Sequence, residues 1–583
     1  MKSGVFRAAM AGINNNLRKR ALVMLALLSI GFMAVFFRLA DIMLINHDWY
    51  LLKARGQQIR KEVIPVKRGI IMDRRGHELA INLETESIFC NPAEVTSANQ
   101  VARTLSSTIH KDEGAIYAKL VTNKHFSWVE RKMEVEKARH IQDLRLKGVG
   151  LVTEMKRVYP KGALASHIVG FVNLDNKGIE GVEKEYEKYL TAKEGSTYVG
   201  RDAKGNSLSE GSKKDIRGND IVLTIDEGLQ YILEKNLDAA MSKWRAVSAT
   251  AIMMDPFTGE ILALANRPNF DPGELFGANQ SEIRNRAITD CYEPGSTFKI
   301  VVGIAALEEK VVNPETRFDC SAGTIEVGGR RIKDDHKHGV LAFREVIQKS
   351  SNVGTIKTAL MVGKPKLYEY IRKFGFGDKT GIDLQGEISG LVKPPDRWSG
   401  TSIGAMAIGQ EIAVTPLQVL RAYSAVANGG YLVTPHVVKE IRSPTGAIIS
   451  KIEPKTQRII SAETAAIFRG ILKTVTEAGG TATEAAVEGN DVAGKTGTAQ
   501  LFDPQTKHYS KTRYIGSFVG FVPAENPRLA MIVVIKEPKG QIYGGVVAGP
   551  VFRQIANEAL SYLTVPMDKA VDKKGMLLVL DKK

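Results

Sequence analysis

Cysteine is scarce in this 583-residue sequence: Cys90, Cys291 and Cys320 stand far apart, with no C-x-x-C pair. That spacing argues against a zinc site and against a disulfide framework, leaving small buried hydrophobes as the expected use of all three. Nowhere do basic and aromatic residues interleave as single-strand nucleic-acid binders require, so no nucleic-acid partner is expected. The excess of 80 Lys and Arg over 64 Asp and Glu, +16, then reads as a solvated basic surface or an attraction to an anionic membrane. Internal repeats are missing too, which sets solenoids aside.

One long uncharged apolar run is present, ALVMLALLSIGFMAVFF (Ala21–Phe37), bounded by Arg20 and Arg38. With Leu39, Ala40, Ile42 and Met43 extending it past a snorkelling Arg38, it is long enough to cross a bilayer. It is long for a signal peptide, and no small-x-small cleavage site follows it. Lys2, Arg7, Arg18, Lys19 and Arg20 precede it and no acidic residue does, so the positive-inside rule places that end in the cytoplasm. The expectation is a cytoplasmic tail (1–20), a transmembrane anchor (21–43) and the bulk of the chain outside the cytoplasmic (inner) membrane, where ATP is absent.

Length and composition, 44% hydrophobic and 25% charged, predict several globular domains beyond the anchor. RGIIMDRRGHELA (Arg68–Ala80) reads as strand, turn, strand, and the stretch from Gly181 to Leu190 as an amphipathic helix. The turn-rich GRDAKGNSLSEGSKKDIRGND (Gly200–Asp220) marks a junction. After it, TAIMMD, PFTG and EILALA form a hairpin pattern, and YIGSFVGFV and RLAMIVVIK form two more apolar strands near the end. Helices are expected around 297–309, 342–350 and 413–428. The fold class is therefore α+β: a mixed α/β domain (44–220), then a domain (221–565) whose antiparallel sheet is made from both of its ends and covered by helices, and a short charged tail (566–583).

Three motifs carry chemistry. In EPGSTFK, Ser296 opens an apolar helix and Lys299 lies one turn on, sharing its face. A serine hydroxyl needs a base to become a nucleophile, and a neutral lysine amine can serve. KSSNVG places Ser350 and Asn352 between two helical segments, as a proton relay and an amide clamp; the plain alternative is helix capping. VAGKTGTAQ reads as a strand on which Lys495, Thr496 and Thr498 hold a carboxylate while Gly497 lets the substrate come close. Each motif alone is weak, but the order S-x-x-K, S-x-N, K-T-G is specific.

Two decoys need excluding. GNDVAGKT (Gly489–Thr496) matches a phosphate-loop pattern, but no apolar strand precedes it and no helix pattern follows. DDHKHG (Asp334–Gly339) offers two carboxylates with His336 and His338, yet no further ligand spacing, and reads as a solvated loop. No metal and no cofactor are expected.

With the anchor, RGIIMDRRGHELA, the R-x-Y-P of Arg157–Pro160, ASHIVGFVNLDNKGIEGVE, RNRAITDCYEPGSTFK, QKSSNVG, IGQEIAVTPLQ, AGKTGTA and the YGG of Tyr543–Gly545, the sequence resembles the class B penicillin-binding proteins. The likeness is strongest to their division-specific transpeptidases of the FtsI type and covers nearly the whole chain. It implies a non-catalytic pedestal and a serine transpeptidase domain that cross-links peptidoglycan stem peptides at the septum and is acylated by β-lactams. It also implies Ser296 as nucleophile, Lys299 as base, Ser350 as proton shuttle, and Asn352, Lys495, Thr496 and Thr498 as substrate contacts. The backbone N–H groups of Ser296 and Thr498 would form the oxyanion hole. Divisome membrane proteins, including a polymerising glycosyltransferase, are the implied partners. The alternatives are an elongation-specific paralogue, or a D,D-carboxypeptidase or β-lactamase that uses water as acceptor.

Overall fold

The computed structural model describes residues 3–64, 66–192, 195–200, 216–503, 506 and 508–567. Most of the junction segment and the charged tail expected from the sequence lie outside them. The chain divides into two compact units, Met1–Pro65 with Glu194–Ile216, and Val66–Lys193 with Arg217–Lys583.

In the first unit a helix runs over Ser3–Ala40 and passes through a π-helical turn, Asp41–Ile45, to a second helix, His47–Gln58. The stretch Leu17–Ile45 has a mean hydropathy of 2.3 and is the one helical segment among the described residues long and apolar enough to cross a membrane. Arg38 does not stand alone at its end: Nη1 donates to Asp41 Oδ2 and Nη2 to the Tyr50 hydroxyl, each at 2.8 Å. Strand Ile59–Ile64 pairs antiparallel with Gly195–Gly200.

The second unit begins with a head. Strand Glu78–Cys90 pairs with Ser127–Met133 and Val149–Val158, and helices Ala98–Ile109, Glu113–Leu120 and Val135–Asp143 cover one face, burying Ile88, Leu105 and Ile141. Strand and turn follow the pattern read at Arg68–Ala80. Ile71–Met72 runs antiparallel to the start of Glu78–Cys90 but parallel to Asp220–Leu223, which in turn pairs with Val438–Arg442. One sheet therefore crosses the position where the sequence suggests a domain border.

The stretch from Gly181 is not a single surface helix. It forms two short helices, Gly181–Glu185 and Glu187–Leu190, with Glu183 wholly buried. The reason is an ion-pair cluster. Glu183 accepts from Arg68 Nε at 2.5 Å and from Arg157 Nε at 2.6 Å, and both arginines are buried. A charge removed from water must be paired and hydrogen-bonded, so the carboxylate turns inward. This accounts for the first arginine of RGIIMDRRGHELA and the arginine of R-x-Y-P.

Beyond lies a five-stranded antiparallel sheet, in spatial order Ile261–Arg267, Ser248–Met254, Leu529–Lys536, His508–Val522 and Ala493–Asp503. It is built from both ends of the catalytic half, as the pattern predicts. Residues alternate between two cores because strand side chains point to opposite faces. Met253, Phe518, Met531 and Val533 pack with Leu233 and Phe552 of the helices Glu227–Trp244 and Gly549–Tyr562. Ile252, Val519 and Ile532 pack on the other face with Val301 and Leu420 of Lys299–Glu308 and Pro416–Ala427. Helix Lys299–Glu308 is buried along nearly its whole length, so whatever side chain opens it enters a dry site.

Candidate active site

Ser296 sits in a 3₁₀ turn, Gly295–Phe298, that leads directly into the buried helix. Its side chain is half-buried, and Lys299, the first α-helical residue, is fully buried. The turn is held from two sides. Gly295 N donates to Gly409 O at 3.1 Å, and Tyr423 hydroxyl donates to Thr297 O at 2.9 Å. Gly409 has φ +75°, and a Cβ there would stand 2.2 Å from Gly295 O, so only glycine lets this loop approach the Gly295–Phe298 turn.

Lys299 reaches across to the second motif. Its Nζ donates to Ser350 O at 2.7 Å and to Asn352 Oδ1 at 2.8 Å, and lies 3.2 Å from Ser350 Oγ. The Asn352 amide is oriented by its other end, Nδ2 donating to Lys333 O at 2.9 Å. Ser350 adopts φ +59°, the left-handed region, which costs a serine roughly 1–2 kcal/mol. That turn aims its carbonyl at Lys299. The amine is caged by three acceptors, Ser350 O, Asn352 Oδ1 and, at the longest distance, Ser350 Oγ.

Lys495, Thr496, Gly497 and Thr498 lie on the edge strand Ala493–Asp503. Lys495 is fully buried, and its one hydrogen bond is a long one, 3.5 Å to Thr496 Oγ1. Thr496 Oγ1 also meets Thr481 Oγ1 at 3.2 Å, and Thr498 Oγ1 accepts from Gly544 N at 3.0 Å. The strand continues for several residues beyond Thr496 with no helix after it, so the phosphate-loop pattern has no structural counterpart here.

Gly497 needs a different account from the one its sequence suggests. The space its missing side chain leaves is filled by Ser517 Oγ at 2.5 Å and Pro294 O at 2.9 Å from the Cβ position. It makes room for Ser517 and for the segment Pro294–Thr297.

The two lysines also divide differently from a simple neutral and charged pair. Burial pushes Lys299 down to about 8, against the pull of the Asp334 and Asp335 carboxylates. Burial pushes Lys495 well below the usual lysine range, and the Lys299 charge pushes it further, with only Asp335 opposing. Burial therefore disposes both amines to lose a proton.

Three contributors escaped the motif reading. Asp334, read as part of a solvated loop, is buried and accepts from Ser351 Oγ at 2.8 Å and from Val353 N at 3.0 Å. Thr481 is the hydroxyl beside Thr496. Glu293, three residues before Ser296, accepts at Oε1 from Glu411 N and from the Tyr509 hydroxyl, both at 2.9 Å, and burial raises its carboxyl above the usual range. All three join segments distant in sequence, which no local motif encodes. Among the described residues one cluster has metal-like spacing, Asp73, His77 and Glu227, and it lies apart from these motifs.

A half-buried serine at the head of a central helix, a dry lysine one turn on, and a hydroxyl-lined edge strand define the class of the serine acyltransferases. The comparisons narrow it. Residues 249–557 match the penicillin binding protein transpeptidase domain and residues 63–223 the penicillin-binding protein dimerisation domain. The chain belongs to the class B penicillin-binding proteins. It is 36% identical over 576 residues to Stage V sporulation protein D of Bacillus subtilis, covering 96% of this chain and 88% of that protein. It is 33% identical over 544 residues to peptidoglycan D,D-transpeptidase FtsI of Escherichia coli, covering 91% and 90%. Penicillin-binding protein 3 of Mycobacterium tuberculosis, solved with aztreonam, superposes with a TM-score of 0.69 at 28% identity, covering 87% of this chain and 98% of that one.

Proposed function

We propose that this chain is a peptidoglycan D,D-transpeptidase and a target of penicillins, with Ser296 as its nucleophile. The observation that carries the reading is the dry Lys299 amine, one turn from Ser296 and caged by Ser350 and Asn352. As Ser296 Oγ attacks the D-Ala–D-Ala carbonyl, its proton passes to Lys299 and the new C–O ester bond forms. The amide C–N bond breaks, and Ser350 relays a proton to the departing D-alanine nitrogen. An amine of a neighbouring stem then attacks the ester, and Ser296 recovers its proton as the cross-link forms. Lys495, Thr496 and Thr498 hold the donor carboxylate, whose arrival gives Lys495 the counter-charge it lacks. The N–H groups of Ser296 and Thr498 stabilise the oxyanion.

The working division is an N-terminal tail (1–20), an anchor (21–43), a pedestal (44–220), a transpeptidase domain (221–565) and a tail (566–583). The charges before Ala21 support an anchor with its N-terminus in the cytoplasm and the catalytic half outside. The FtsI relative supports a septal role, with divisome membrane proteins and a polymerising glycosyltransferase as partners, while the sporulation relative supports a second specialised wall-building role. The test is labelling with a fluorescent penicillin and mapping of the modified residue. Ser296→Ala should abolish the label in folded protein. Release of D-alanine that speeds up on adding an acceptor amine separates a transpeptidase from a carboxypeptidase.

A further inference from the structure

Asp334 stands in a charged, mostly exposed run, yet its side chain is buried. Its Oδ1 accepts from the backbone N–H groups of Asn352 and Val353, and its Oδ2 accepts from Ser351 Oγ. Those groups open the helix Asn352–Val362, whose first N–H donors have no partner within the helix. A carboxylate there meets both the free donors and the positive end of the helix dipole. Ser351 Oγ is fixed at both ends, donating to Asp334 and accepting from Gly354 N at 3.0 Å.

The residue just before this clamp is Ser350, in its left-handed conformation, and the residue just after it is Asn352. Their carbonyl and amide oxygens are the two short contacts of Lys299. Lys333, which orients the Asn352 amide, is the neighbour of Asp334 in the chain. One carboxylate therefore fixes the backbone of the loop that carries the Lys299 contacts, through Ser351 Oγ and the N–H groups of Asn352 and Val353.

We propose that Asp334 is a positioning residue for acylation: by clamping Ser351, Asn352 and Val353 it holds the loop that presents the Ser350 carbonyl and the Asn352 amide to Lys299, and it sets a negative charge beside that amine. The inference rests on Lys299 being the base for Ser296.

The charges that face Lys299 among the described residues are Asp334 and Asp335 from the loop, and Lys495 from the edge strand. Lys357, on the helix that Asp334 caps, turns away to donate to Asp319 O. Both carboxylates oppose the loss of the Lys299 proton, against the larger effect of burial.

The experiment uses the full-length protein in detergent and a fluorescent penicillin, with the second-order acylation rate followed across pH. Asp334→Asn keeps the shape and an acceptor for the backbone donors but removes the charge. Without the anion the ammonium form of Lys299 is less favoured, so the acid limb should move about one pH unit lower, a ~tenfold gain on that limb relative to the variant's own plateau. Asp334→Ala removes the clamp as well, and its plateau should fall ~tenfold or more. If the alanine variant does not fold, the asparagine variant decides. A purely structural role would lower the rate at every pH and leave the midpoint in place. An unmoved midpoint in Asp334→Asn overturns the inference alone. Wild-type protein that acylates at Ser296 with no acid limb overturns the base assignment and the inference together.

Discussion

Lysine 299 is where the proposed chemistry is most exposed to refutation. Its amine is fully buried and pushed from 10.5 down to about 8. At pH 7 an amine titrating near 8 is neutral in roughly one molecule in ten, against roughly one in three thousand for an unperturbed lysine. Burial thus raises the population of usable base by ~300-fold. Wild-type acylation by a fluorescent penicillin should rise about tenfold per pH unit below neutrality and level off past about 8. Lys299→Arg keeps a cation near the same carboxylates but offers no base, since guanidinium stays charged. Its plateau rate should fall by ~10²–10⁴, the usual contribution of a positioned general base. Circular dichroism and thermal unfolding check that the larger head group is tolerated. An arginine variant that acylates within about tenfold of wild type, or a wild-type profile flat from about pH 5 to 9, would refute the reasoning.

Three further outcomes follow from the same geometry. Lys495→Ala should lower the second-order acylation constant about thirtyfold or more by leaving the penicillin carboxylate without its cation; a variant that acylates at the wild-type rate would contradict that role. Gly409→Ala places a Cβ 2.2 Å from Gly295 O and should displace the nucleophile turn, cutting acylation ~100-fold in protein that still unfolds cooperatively. Glu183→Ala leaves Arg157 buried with Gly69 O as its remaining partner and should cost ~3–5 kcal/mol, read as a fall in Tm; an unchanged Tm would mean the cluster carries no net stability.

The legible parts were those written in short-range patterns. The four apolar strands of the sheet show as runs bounded by turns, and the central helix shows as EPGSTFK followed by an unbroken apolar stretch. The three motifs were legible because each keeps its chemistry within a few residues, and the edge strand and the turn before helix Asn352–Val362 appear where their patterns place them. What could not be read was which way a polar residue faces. Glu183 looks like one more charge on a surface helix, and only its pairing with Arg68 and Arg157 brings it inside. Gly497 looks like an opening for substrate, yet Pro294 and Ser517 occupy that space from other strands and turns.

The same limit explains the lysine pair. Sequence alone places two cations in one cleft and says that like charges disfavour each other, with Lys299 expected as the mainly neutral member and Lys495 as the charged one. Which one yields depends on the acidic neighbours. Asp334 opposes the loss of the Lys299 proton, and its hydrogen bonds hold the loop that cages that amine. Lys495 has a long contact to a threonine hydroxyl and an edge strand open to an incoming carboxylate. On the proposed mechanism Lys495 gains a counter-charge only when a ligand carboxylate arrives, while Lys299, caged by Ser350 and Asn352, takes the proton of Ser296. The proposed division of labour thus rests on carboxylates from two sources: one built into the fold beside Lys299, the other carried by the substrate to Lys495.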